Sequence, residues 1–190
     1  SLVVGGASGL LGALFRRALE AADGQRDLIA AWAQEHGISG LIALVVLGAA
    51  ATALAAWLVR RFSPEASGSG IPHVEAVLNR RVPQAPLRLI PVKFVGGWLA
   101  IGAGLALGRE GPTVQMGASV AHFIGRLSKR NADDCLTLLA AGAGAGLATA
   151  FNAPIAGAVF VIEELLRRFE TRSSIATLGA SASAIAVFSA

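Results

Sequence analysis

Arg109 and Glu110 stand side by side between Gly108 and Gly111, with Pro112 next. Fifteen uncharged residues (94–108) precede the pair, and thirteen (113–125) follow before the next charge. A charged side chain at membrane depth costs about 2.5 kcal/mol or more, so it is usually kept for ion or proton traffic. Neither flank reaches the roughly 20 residues a spanning helix needs, and Pro112 sits where a helix would begin. The pattern predicts a broken membrane helix whose new N-terminus turns free N–H groups toward a negative ligand. A carboxylate at that helix start competes with the ligand for the same positive potential, and protonation removes the competition. The chemistry expected is anion movement.

A second segment has the same form. Gly68-Ser69-Gly70-Ile71-Pro72 places flexible glycines and a hydroxyl just before a helix start with proline in its first turn. Glycine lets the backbone turn its N–H groups toward a ligand, and the Ser69 hydroxyl adds a donor. Neutral dipoles replace the hydration of a permeating anion without trapping it. A simple turn and helix cap is the alternative for this segment taken alone. Two such starts in one apolar chain favour the anion reading.

Other chemically capable residues are few. Glu163 and Glu164 lie beside Arg167 and Arg168, a spacing that also suits i,i+4 ion pairs at a solvated helix end. His73 is expected to face solvent, His122 to be a hydrogen-bonded packing residue and His36 to lie in a loop. Cys135 is the lone cysteine, which excludes an intrachain disulfide and any cysteine-cluster metal site. No metal site, cofactor motif or enzymatic constellation is expected. Gly142-Ala143-Gly144-Ala145-Gly146 superficially suggests a phosphate loop, but it lacks the G-x-G-x-x-G spacing and a preceding strand. Together with Gly5/Gly9 and Gly104/Gly108 it reads as small-residue helix packing.

The elements that must position these groups are helices of uneven length. Hydrophobic residues form 54% of the chain and charged ones 15%, against about 25% charge in a soluble domain. Apolar runs cover 41–59 and 135–162, and 174–190 carries no charge. The expected helices are 2–22, 41–61, 71–79, 93–107, 113–127, 132–150, 153–169 and 174–190. Residues 20–35 and 80–91 are expected as linkers, and Asn152 with Pro154 as a stop and restart. The net charge of +4 does not imply nucleic acid. Eleven of the sixteen Lys/Arg cluster at the ends of apolar runs (60–61, 80–88, 126–130, 167–172), which marks those ends as cytoplasmic. Arg16 and Arg17 fall outside this scheme. The last helix runs uncapped into the chain end, so a fragment of a longer protein is expected.

GSGIP (68–72), GREGPTVQ (108–115) and FNAPIAGAVFVIEE (151–164), with PVKF around Lys93, resemble the CLC family of chloride channels and proton/chloride exchangers. The likeness extends over essentially all 190 residues. It implies an all-α polytopic membrane protein with broken and tilted helices, residues 1–190 being the N-terminal half of an inverted-repeat transport domain. The other half, with a further helix N-terminus and a pore tyrosine, has no counterpart here; the chain contains no tyrosine.

The expected function is secondary transport of chloride coupled to counter-movement of protons. Glu110 matches the external gating glutamate and Glu164 the internal proton-transfer glutamate, with Glu163 structural. Gly68, Ser69, Gly70, Ile71, Pro72, Gly108, Arg109, Gly111 and Pro112 would form the anion site, with Lys93 and Arg109 raising its potential. Chloride, protons and lipid are the implied partners, in a homodimer with a pore in each subunit and without nucleic acid. The expected location is a bacterial-type inner membrane. A passive, glutamate-gated chloride channel and a non-transporting scaffold half remain the alternatives. The isolated 190 residues are expected to insert into a membrane without conducting chloride.

Overall fold

The computed structural model describes residues 1–166 and 170–189. Among them the regular structure is entirely helical: α1 (Leu2–Glu35), α2 (Gly37–Phe62), α3 (Ile71–Leu78), α4 (Leu89–Gly102), α5 (Glu110–Leu127), α6 (Ala132–Phe151), α7 (Pro154–Phe160) and α8 (Thr171–Phe188). One 3₁₀ turn (Pro64–Ala66) precedes α3, and a π-helical stretch (Val161–Leu166) continues α7. Helices α1, α2 and α6 are long and apolar enough to cross a membrane. The chain is an integral membrane protein.

Burial divides these helices by role. Only 6% of the most apolar stretch of α2 is buried against the described residues, whereas α6 is 72% buried. The glycines and alanines of α6 explain the difference. A Cβ on Gly142 would collide with the Gly117 carbonyl oxygen of α5, and one on Gly146 with the Thr113 carbonyl oxygen. The two backbones therefore touch, as small residues allow. Gly5 and Gly9 of α1 meet the backbone of Ala180 and Ala184 of α8 in the same way. Gly104 and Gly108 do not form such a seam. They lie in the irregular segment after α4, with Gly104 at φ +93°.

Val74 and Val77 of α3 pack with Val114 and Ala118 of α5 and with Leu139, Ala143 and Leu147 of α6. A second cluster joins Phe15 and Leu19 of α1 to Met116 of α5. Phe94 stands edge-on to Phe15 at 5.2 Å, and Trp98 Nε1 donates to the Ala18 carbonyl (3.0 Å). Helices α4 and α5 thus both pack against α1, and α5 packs against α6 as well.

Several boundaries differ from the sequence expectation. Residues 20–35 are not a linker but the second half of α1. The segment has no proline, is rich in Ala with Gln and Glu beside it, and pairs Arg26 with Asp23 (2.9 Å) one turn apart. Its 34 residues span about 50 Å, longer than the hydrocarbon core, so its acidic end lies beyond the apolar layer. Arg16 pairs with Glu20 (2.7 Å) and lies over the Phe188 ring (5.3 Å). Nothing in the structure accounts for Arg17.

At the far end, Gly37 takes φ +59° and Gly40 packs onto the Ala33 backbone, closing a tight α1–α2 hairpin. Helix α4 begins at Leu89, earlier than expected, because Pro91 is tolerated in a first turn where its missing N–H costs nothing. Asn152 stops α6 in the left-handed conformation (φ 54°), and Pro154 opens α7. The expected helix 153–169 is α-helical only to Phe160. Arg167 and Arg168, expected as basic markers and as partners for Glu163 and Glu164, lie outside the described residues.

Candidate anion and proton site

The GSGIP loop is suspended from side chains of two other helices. Lys93 of α4 is only 4% exposed, and its Nζ donates to the carbonyls of Ala66 (2.9 Å) and Gly68 (2.6 Å). Gln115 of α5 is fully buried, and its Nε2 donates to the Glu65 carbonyl (2.8 Å). Between these anchors the backbone reverses direction through Gly68 (φ +65°) and Gly70 (φ +84°), which only glycine adopts without strain. A Cβ on Gly70 would also strike Gln115. The loop then enters α3 with Pro72 in the first turn. Ser69 Oγ accepts a long bond from the Ile71 N–H (3.4 Å), so its own O–H hydrogen remains for a ligand.

The second loop arrives from α4. The chain leaves that helix at Gly102, runs irregularly through 105–108 and enters α5 at Glu110, with Arg109 as N-cap. Thr113 Oγ1 donates to the carbonyls of Arg109 (3.0 Å) and Glu110 (2.9 Å), tying down the first turn. Glu110 is half-buried, and its carboxylate folds back over Gly108, where any side chain would displace it. Gly111 faces the backbone of Ser69 closely enough that a Cβ would collide with the Ser69 carbonyl oxygen. The two loops are therefore in backbone contact.

Between them lies a cavity of about 600 Å³. Gly68, Ser69 and Ile71 line it from the first loop, and Gly108, Glu110, Gly111 and Pro112 from the second. Lys93 completes the wall from α4. Most of the expected anion site is thus brought together around one space, beside one buried cation and one carboxylate.

Three expected members stand apart. Gly70 is buried against Gln115 and shapes the loop from behind. Pro72 is exposed, its ring turned away as the helix departs. Arg109 is exposed and outside the cavity wall, and no ion pair joins it to Glu110 among the described residues. Its charge acts on the site only from a distance.

Glu163 and Glu164 lie in the π-helical turn, both exposed and away from this cavity. His73 is half-buried rather than solvated as expected, and its Nε2 is buried without a hydrogen-bond partner among the described residues. His122 makes no side-chain hydrogen bond among the described residues and lines a different cavity. His36 lies between α1 and α2, with its ring stacked on Trp32 at 4.3 Å.

Gln115 escaped the sequence reading. It sits at the end of the GREGPTVQ motif, and an amide within an otherwise apolar helical stretch was the available signal. Its Oε1 is buried without a hydrogen-bond partner among the described residues.

Comparisons with known proteins bear on the family and the fold. The family profile described as "Voltage gated chloride channel" matches residues 49–190. The H(+)/Cl(-) exchange transporter ClcA of Citrobacter koseri is 43% identical over 168 residues, covering 88% of this chain and 36% of that protein. ClcA of Vibrio cholerae is 44% identical over 173 residues, covering 89% and 36%. The chain therefore spans about 36% of the length of the curated relatives it matches. Among solved structures, a slow cyanobacterial Cl-/H+ antiporter superposes with a TM-score of 0.93 at 38% identity, over 98% of this chain and 44% of that one. A CLC-type fluoride/proton antiporter gives 0.79 at 27% identity, over 99% and 45%. With two proline-started helices meeting at one cavity and a family match across most of its length, the chain belongs to the voltage gated chloride channel family.

Proposed function

We propose that residues 1–190 are the N-terminal half of a membrane transport domain that exchanges chloride for protons. The observation that carries this reading is the meeting of Ser69, Lys93 and Glu110 at one cavity. Backbone and hydroxyl dipoles at the GSGIP loop replace the hydration of the ion, and the buried Lys93 charge raises the local potential. Ionised Glu110 competes with chloride at the start of α5; protonated, it yields the place and carries the proton. The exchange activity named for the ClcA relatives supports the coupled form. The complete unit is a homodimer with a pore in each subunit, resident in a bacterial inner membrane, and needs no cofactor or metal.

Proton-coupled chloride flux from liposomes holding the full-length protein tests the proposal. Uphill proton movement driven by a chloride gradient is expected. Chloride flux without proton movement would make the protein a passive channel, and no flux at all a scaffold.

Ion choice is assigned to Ser69. Ser69→Pro removes the hydroxyl donor and is expected to raise nitrate transport severalfold relative to chloride in competitive flux assays. An unchanged ratio would remove Ser69 from the site.

The internal proton step is assigned to Glu164. Glu164→Gln keeps the shape and ends the titration, so proton flux should fall at least tenfold while chloride still passes. Glu163→Gln should leave both fluxes within about twofold. Normal proton flux in Glu164→Gln would place the internal proton donor elsewhere.

A further inference from the structure

A second cavity, of about 530 Å³, lies at the C-terminal end of α5, some 24 Å along the helix axis from Glu110. Four arginines from separate segments line it: Arg80 and Arg81 from the turn after α3, Arg126 from the last turn of α5, and Arg130 from the loop before α6. His122 joins them, and no aspartate or glutamate is among the lining residues. Arg80 is paired with Asp133 outside the wall. Arg81, Arg126 and Arg130 have no carboxylate partner among the described residues.

Two ordinary roles for basic residues do not account for this convergence. Arginines often offset the negative end of a helix. Here the helix ends are already capped by backbone: the Arg81 N–H donates to the Ala76 carbonyl (2.8 Å) and the Arg130 N–H to the Gly125 carbonyl (3.0 Å). Topology marking needs positive charge on the cytoplasmic side, but not charges gathered around one concavity. Arg81, Arg126 and Arg130 are all exposed, and an anion bound among them would compensate three like charges. The wall is also fixed in place. Gln84 Nε2 donates to Ser119 Oγ (2.9 Å), and Ser119 Oγ donates to the Gln115 carbonyl (2.9 Å), holding the α3–α4 linker against α5.

The cavity is far larger than a chloride ion. Guanidinium groups present paired N–H donors that match the oxygens of a phosphate, and hold it more tightly than neutral dipoles hold a permeating ion. We propose that this cavity binds a phosphate-bearing anion at the cytoplasmic face through Arg81, Arg126 and Arg130. The phosphate comes from a soluble phosphate compound or from an anionic lipid headgroup, whose acyl chains would lie over the exposed Phe123 and Leu127 next to Arg126.

The test uses the full-length protein in phosphatidylcholine nanodiscs. One arm titrates inorganic pyrophosphate by calorimetry. The other replaces part of the lipid by phosphatidic acid and measures lipid retained on the released protein by native mass spectrometry. The wild type is expected to bind at least one probe. The triple variant Arg81→Gln/Arg126→Gln/Arg130→Gln should bind it at least tenfold more weakly than the control Arg16→Gln/Arg17→Gln/Arg61→Gln, which removes equal charge elsewhere. If the triple variant fails to assemble, each single variant should bind at least threefold more weakly than Arg61→Gln. Pyrophosphate binding alone identifies a soluble ligand, and phosphatidic acid retention alone a lipid; either supports the site. Binding of neither probe, or a loss smaller than these margins, overturns it.

Discussion

Glu110→Gln is expected to stop proton transport while chloride continues to pass. The amide has nearly the shape of the protonated acid but never ionises, so the competition between carboxylate and chloride at the start of α5 is permanently removed. Proton flux should fall to the level of protein-free liposomes, and chloride flux should lose its dependence on pH. The geometry makes Glu110 suited to this. Its carboxylate rests over Gly108, which has no side chain, and no salt bridge to an arginine among the described residues holds it there. Uphill proton pumping by the variant, measured against a chloride gradient, would show that the coupling carboxylate is a different residue.

Lys93→Met should have the next largest effect, on transport rather than on stability. The buried ammonium makes two bonds to carbonyl oxygens, each worth about 1.5–3 kcal/mol for a charged donor. Against this stands a desolvation cost of several kcal/mol for a buried ion without a counter-charge. These contributions are comparable, and methionine removes both while filling the space with an apolar chain. Thermal unfolding should therefore shift little. The loop, however, loses its anchors at Ala66 and Gly68, and the cavity loses its buried positive charge, leaving only the exposed Arg60 on its wall. A rise of about 1.4 kcal/mol in the transport barrier suffices for a tenfold fall in chloride turnover. Turnover within twofold of wild type would mean that neither the anchoring nor the charge of Lys93 matters to the ion.

The sequence made the helix breaks legible and left their support obscure. GSGIP and GREGP announce themselves through proline, glycine and charge, which act locally, and the structure puts both loops on one cavity. The Asn152–Pro154 break was legible for the same reason. What could not be read is nonlocal. Gln115 reaches back 50 residues to the Glu65 carbonyl, and no periodicity encodes such a bond. Lys93 was legible as a charge near the site, but not as a strut beneath its loop. The extension of α1 to Glu35 was missed because charge was taken to mean linker, whereas propensity and one-turn ion pairs sustain a polar helix. The π-helical turn at 161–166 leaves no mark in composition, since its valine, isoleucine, glutamates and leucines are residues that a regular helix also uses.

The backbone contacts of Gly142 with Gly117 and of Gly146 with Thr113 have a mechanical consequence. Soft side chains between helices let them slide and tilt, but carbonyl against Cα has almost no give. Helices α5 and α6 therefore behave as a single stiff beam, with Glu110 mounted on its tip. On the proposed function, such a beam would not flex to admit an ion, and opening would fall to the few torsions of Glu110. Rotamer changes of that kind take picoseconds to nanoseconds where a side chain has room. A gate of this construction is not limited by its hinge. On that proposal its tempo would be set by how often a proton arrives.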